Sequence, residues 1–425
     1  MADTPTAPPP IDRRHRLLAV AAGMASLLDS AAIISVGLGL ALWREAFGLD
    51  VWTVGVLGSA LTLFIAAGAL TGGRLADLVG RGRMFSLAIL LYAAAALMVA
   101  LAPSTPVLIA GVVLIGIAAG ADLPTSIAVL SERAPAGAQG RLVAFTHVMW
   151  TLGVVLATSL GFAVSGAGLP GIRLIFCLLA LLAVATFAFR AFYPPFRALE
   201  AEATARHTAA GVDPSTALPL AELLRNRSYA AMLALTALFY LFFTLVANTF
   251  GGYKTYFMVT VGDATQTTAT AISFVTTLIG LVGTIAFTRI ADTPWRSRLF
   301  AAGVAVFCAC QLLIAVTGGV HLPAVVIALV LYNIAFPFVG EALYKVWTQE
   351  SFPVNARATA QGVTMAAARF AAAGFALVTP ALLAWSPSGL FSLLAVFALV
   401  SGLIGGAVIR RFRRTGTAAA QEVHP

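Results

Sequence analysis

The sequence predicts an all-α integral membrane protein. Twelve transmembrane helices form two six-helix bundles, with both termini in the cytoplasm. Three observations lead there. Of the 425 residues, 60% are hydrophobic and only 10% charged, whereas a soluble domain carries about 25% charged residues. That balance excludes a soluble enzyme and a disordered chain. The apolar residues fall in runs of about the length of a spanning helix, roughly 20 residues. The basic residues gather in alternate loops.

The apolar runs cover residues 17–41, 52–75, 84–102, 106–130, 142–166 and 171–193, then 229–252, 268–288, 299–318, 322–347, 358–384 and 387–409. The chain therefore divides into a tail (1–16), a first bundle (17–193), a linker (194–228), a second bundle (229–409) and a tail (410–425). The linker opens at Pro194-Pro195 and holds a weakly amphipathic piece near Leu218–Leu224. The run after Asp12-Arg13-Arg14-His15-Arg16 is too long for a signal-peptide core, so it reads as the first span. Cys177, Cys308 and Cys310 lie inside apolar runs without metal-type spacing, and read as small packing residues. No metal or cofactor is expected.

Orientation follows from charge. With the N-terminus inside, tails and internal loops hold 21 of the 26 Lys and Arg; the others are Arg44, Arg173, Lys254, Lys345 and Arg369. Basic residues mark the cytoplasmic side. The net charge of +9 is thereby explained by the bilayer, and nucleic acid is not an expected partner. A bacterial-type inner membrane and a monomer are expected.

The halves repeat. Arg74, Asp77, Arg81 and Arg83 after span 2 match Arg289, Asp292, Arg296 and Arg298 after span 8, at a constant offset of 215. Glu132 and Pro135 after span 4, followed by Arg141, match Glu350 and Pro353 after span 10, followed by Arg357. A parallel repeat of six helices is one known plan for secondary transporters.

These residues resemble the major facilitator superfamily. Gly72-Gly73-Arg74-Leu75-Ala76-Asp77-Leu78-Val79-Gly80-Arg81-Gly82-Arg83 is similar to its signature loop between spans 2 and 3. The segment Lys345 to Pro353, with Arg357, Gln361 and Gly362, resembles the sugar-porter branch after span 10. The stretch from Gly120 through Asp122, Pro124, Glu132 and Arg141 resembles span 4 in its inositol and metabolite porters. The resemblance implies the major facilitator fold and alternating access. Departures accompany it. The place of the branch's motif after span 6 reads Tyr193-Pro194-Pro195-Phe196-Arg197. Arg410, Arg411, Arg413 and Arg414 replace its motif after span 12, Leu114 stands where an arginine is usual, and the paired glutamines of span 7 are missing. The implied substrate is thus a polyol, inositol foremost, rather than a hexose bound through the usual contacts.

Ionisable residues within spans are costly, by roughly 2.5–3.5 kcal/mol or more, and each calls for an explanation. Asp29 lies halfway along span 1. It is the first candidate for proton coupling, the alternative being a structural bond to Ser26, Ser30 or another helix. Asp122 and Glu341, offset by 219, are the next proton candidates. Asp122 could instead bond locally around Pro124, and Glu341 could pair with Lys345 at i+4. Arg369, midway along span 11, needs a carboxylate, a substrate or water, and Glu341 is its natural partner. His147, Trp150 and Thr151 share one face of span 5. Asn248, Thr249, Gly251, Gly252 and Tyr253 end span 7, where the glycine pair would permit a break. Asn333, Pro337, Glu341 and Tyr344 share a stripe on span 10. Amides, hydroxyls and rings suit a neutral polyol; helix packing is the plain alternative. The substrate set is therefore His147, Trp150, Asn248, Thr249, Tyr253, Asn333, Tyr344 and Arg369. Lys254 is expected to snorkel outward.

The loop charges Arg74, Asp77, Arg81, Arg83, Glu132, Arg141, Arg289, Asp292, Glu350 and Arg357 are expected to gate, by latching one state of the carrier. The leading function is proton-coupled symport of a polyol or sugar-like metabolite. Efflux of drugs or metabolites by proton antiport, and organic-anion transport through Arg369, are the alternatives. No Gly-x4-Gly-Lys motif is present, which argues against an ATP-driven pump.

Overall fold

The computed structural model describes residues 12–79, 81–133, 139–196, 198–199, 202, 220–290, 295–352 and 354–422. Among these, twelve helices are long and apolar enough to cross a membrane. The first six are α1 (Arg13–Phe47), α2 (Val51–Val79), α3 (Arg81–Ala100), α4 (Thr105–Arg133), α5 (Gln139–Ala163) and α6 (Leu169–Phe192). A short α7 (Leu220–Arg225) precedes α8 (Arg227–Thr260), α9 (Gln266–Ile290), α10 (Trp295–Thr317), α11 (Leu322–Val339), α12 (Glu341–Ser351), α13 (Val354–Trp385) and α14 (Pro387–Glu422). Each expected span is met. The tenth is built from α11 and the start of α12.

Local chemistry sets several ends. Helix α1 begins before its apolar run because the Asp12 carboxylate caps it, accepting from the His15 amide at 3.0 Å. It ends where Gly48 takes φ 63°, with the Gly48 N–H bonded to the Arg44 carbonyl. Asn226 caps α8 through the amides of Ser228 and Tyr229. The Asp12 carboxyl is lowered to about 2, first by the His15 amide and further by the Arg14 and His15 side chains.

The chain forms two compact units, residues 1–48 with 60–213, and 49–59 with 214–425. In the first, α1 packs against α4, α5 and α6, and α3 against α4 and α6. Helix α1 is enclosed on nearly every side from Leu18 to Ala41. Alanine, serine and glycine permit this, because in a membrane small residues let backbones approach closely. Gly153 of α5 shows the requirement: a Cβ there would stand 2.1 Å from Ser30 Oγ and 2.2 Å from the Leu27 carbonyl oxygen. Ser30 Oγ donates to the Trp150 carbonyl at 2.7 Å, and Tyr92 of α3 donates to the Leu28 carbonyl at 2.9 Å. Gly116 and Gly120 of α4 lie one turn apart against the Leu61 and Ile65 carbonyls of α2.

The second unit is built differently. Helix α8 packs against α13 and α14, with α10 against α11 and α14, and its core is aromatic. Phe239 meets Phe300 and Trp347. Tyr240 stacks on Tyr344 at 4.1 Å, and Phe250 on Tyr332 at 4.3 Å. Such rings contribute large contact areas and prefer offset or edge geometry. Threonine hydroxyls such as Thr236, Thr249 and Thr276 bond carbonyls of their own helices, which satisfies them inside an apolar layer.

Candidate functional site

In the first unit, Asp29 is fully buried on the enclosed helix α1. It lies beside Ser30, whose hydroxyl is tied to Trp150, and within electrostatic range of Tyr92. The rings of His147 and Trp150 stack on α5, centroids 6.0 Å apart and 5° from parallel. Their i, i+3 spacing on one helical face makes this possible. Both are half-buried. Two helices thus bring a buried carboxylate and an aromatic plate to one level of the bundle.

Asp122 has a partner that the sequence reading missed. Arg190 of α6 meets it at 2.7 Å, with side-chain exposures of 0% and 2%. The Arg190 guanidinium also donates to the Ala21 carbonyl from Nε at 3.0 Å and Nη2 at 2.8 Å. Nη1 reaches the Phe85 carbonyl at 2.6 Å, and Nη2 the Ser126 hydroxyl at 3.3 Å. Its carbon sits 4.0 Å from the centre of the Phe85 ring. Ser126 donates to Asp122 Oδ1 at 2.8 Å. Four helices, α1, α3, α4 and α6, therefore meet on one cation. Its signal in the sequence was an arginine inside the apolar run 171–193, which the charge count had assigned to the internal loops.

In the second unit the tenth span is interrupted. Pro337 lacks an N–H and disturbs the preceding turn. Gly340 then leaves the helix at φ −107° and ψ −153°. A Cβ at Gly340 would stand 2.6 Å from the Phe336 carbonyl oxygen and 2.8 Å from the Phe243 ring, so glycine is required for close approach. Glu341 opens α12 and bonds Lys345 Nζ at 2.7 Å, both partly exposed. Tyr344, stacked on Tyr240, bonds the Thr364 hydroxyl and the Gln361 carbonyl of α13. Glu341 and Arg369 both lie within electrostatic range of the Tyr240 phenol. Arg369 is half-buried.

Other candidates are placed otherwise. Tyr253 is buried and its hydroxyl donates to the Ala376 carbonyl at 2.7 Å. Thr249 donates to Leu245, and the Asn333 amide to Leu329 at 2.8 Å. Asn248 is half-buried. Helix α8 runs unbroken through Gly251 and Gly252, with Thr249, Phe250, Tyr253 and Thr255 buried on either side of them; glycine permits a break but does not compel one. Lys254 is half-buried and lines a small cavity with Phe250, Phe257 and Phe391 rather than reaching outward. Arg83 is exposed. The side chains of Arg74, Asp77, Arg81, Glu132, Arg141, Arg289, Asp292, Glu350 and Arg357 lie outside the described residues.

Comparison with known proteins gives this geometry its context. The model of the Major Facilitator Superfamily matches residues 18–377. The chain is 29% identical over 372 residues to the "Minor myo-inositol transporter IolF" of Bacillus subtilis, covering 85% of this chain and 83% of that one. It is 33% identical over 140 residues to the "3-(3-hydroxy-phenyl)propionate transporter" of Escherichia coli, covering 33% and 35%. Among solved structures, the D-xylose-proton symporter superimposes with a TM-score of 0.72 at 17% identity, over 90% of this chain and 97% of that one. The nucleoside transporter NupG gives 0.67 at 15% identity, over 92% and 99%. The multi-pass chain, with its twelve apolar spans, belongs to the Major Facilitator Superfamily, whose members are membrane transporters rather than enzymes.

Proposed function

We propose that the chain is a proton-coupled symporter of a small neutral polyol of the inositol type, working by alternating access. The observation that carries the reading is Asp29, fully buried on the central helix of the first unit, level with the stacked His147–Trp150 pair. A carboxylate so placed can take up and release a proton as its surroundings change during a transport cycle. The similarity to a protein named as a myo-inositol transporter, over 85% of this chain, supports the substrate class. In the first unit Trp150 offers a ring face to C–H groups and His147 a polar bond; in the second, half-buried Asn248 and Asn333 offer polar bonds, with Tyr344 buried against Tyr240. Thr249, Tyr253 and Arg369 complete the set, and the loop charges gate the two states. Asp122, held by Arg190, fits a structural pair better than a proton carrier, because protonating it would strand a buried guanidinium. Glu341 remains a second proton candidate, since it is partly exposed beside Lys345. The basic loops support a reading with both termini inside and the chain in a cytoplasmic membrane, and we expect a monomer.

The test is Asp29→Asn in sealed vesicles supplied with labelled myo-inositol on the outside. Loss of proton-driven accumulation with counterflow exchange retained supports the reading. Uptake indifferent to the pH gradient and to the substitution overturns it. A second reading, organic-anion transport, is favoured by Arg369 half-buried near Tyr240. It expects Arg369→Ala to lose anion transport far more than polyol transport.

A further inference from the structure

A depression of about 600 Å³ opens in the first unit where α3 begins and α4 and α6 end. Its volume falls within the roughly 300–1,000 Å³ typical of small-ligand sites. Its lining includes Arg83, Ser86, Leu87, Arg133, Arg190 and Phe196, and among the described residues no acidic side chain. Arg190 is engaged by Asp122. Arg83 is exposed, and Arg133 is buried with its guanidinium reaching the Phe196 carbonyl at 3.4 Å. The first turn of α3, including Gly82 and Arg83, also lines it. Amides of a first turn have no intrahelical acceptor, and the helix dipole there favours an anion.

The basic floor continues into an apolar wall. Leu87, in the lining, is 50% exposed, and Leu90 and Leu91 follow it outward on α3. On the adjacent α6, Phe192 is 72% exposed, and Val184 and Leu181 lie further along. A soluble anion would use only the basic part. A molecule with a phosphate at one end and hydrocarbon at the other would use both. Basic pockets between transmembrane helices are suited to acidic headgroups. We propose that this depression binds the phosphodiester headgroup of an anionic phospholipid, with its acyl chains lying along α3 and α6. The site is separate from Asp29 and from the Tyr344 cluster, so it does not depend on the substrate assignment.

The test uses the purified full-length chain in detergent, without transport as a readout. Phosphatidylglycerol, phosphatidylcholine and inorganic phosphate are added separately, and binding is read by native mass spectrometry and by the rise in unfolding temperature. The expected result is retention of phosphatidylglycerol over phosphatidylcholine, weakened about fivefold by Arg83→Ala and further by Arg83→Glu. Arg410→Ala, which removes an exposed basic residue of α14, should leave it unchanged. Equal retention of the two lipids, or equal loss in Arg83→Ala and Arg410→Ala, overturns the proposal. Protection by inorganic phosphate matching that by phosphatidylglycerol also overturns it, because the site would then be for a free anion.

Discussion

Replacing Arg190 by methionine removes the cation on which four helices meet, while keeping most of the side-chain volume. The Ala21 and Phe85 carbonyls lose a second donor, and each has its own helical partner to fall back on. Asp122 has no such substitute. Its Oδ1 retains the Ser126 hydroxyl, whereas its Oδ2 makes no hydrogen bond among the described residues. The dominant cost is therefore a buried carboxylate without its counter-ion, about 3–5 kcal/mol. For a cooperative unit of roughly 150–250 residues this corresponds to a fall in unfolding temperature of about 6–20 °C. The assay is thermal unfolding of the purified chain in detergent, run as a double-mutant cycle with Asp122→Leu. Replacing a whole buried pair by apolar residues is often neutral or stabilising. The double variant should accordingly recover most of the loss, with a coupling of roughly 3 kcal/mol, far above the additivity error of distant sites. If Arg190→Met is as stable as the parent, or if the two losses simply add, the pair is not what holds these helices.

Three further outcomes follow from the geometry. Gly153→Val drives a side chain into Ser30 Oγ and the Leu27 carbonyl, so it should destabilise by about 1–3 kcal/mol; unchanged thermal stability would show that α1 and α5 can separate freely. Tyr344→Phe keeps the stack on Tyr240 but loses the Thr364 and Gln361 bonds, costing about 1 kcal/mol. Under the polyol reading it raises the transport KM about fivefold, and an unchanged KM with reduced stability would make Tyr344 purely structural. The Asp12 cap has a pH window. Its folded carboxyl lies at about 2, against an ordinary 3.8. The stabilisation is fully present above about pH 4 and is lost as pH falls through about 2. Because Asp12 is 42% exposed, the effect is screened and confined to the first turn. Protection of the first-turn amides, taken as exchange relative to the intrinsic rate at each pH, should fall toward pH 2 in the parent, and Asp12→Ala should already show the low protection at pH 6.

The sequence by itself determined the membrane class, the twelve spans, the six-plus-six repeat and the family. These depend on composition, on apolar run length and on the spacing of charges, all of which are one-dimensional properties. It also placed His147 and Trp150 on one helical face, since a helix has a fixed period. Only the tertiary structure decided partners. Asp122 and Arg190 are 68 residues apart, and no local pattern joins α4 to α6. Glu341 and Lys345, four apart, were foreseen because their pairing is local. The interruption at Gly340 was written as a proline and a glycine three residues apart, yet Gly251-Gly252 holds no break. Glycine lowers the cost of leaving a helix, and the packing of neighbouring side chains settles whether the chain leaves it.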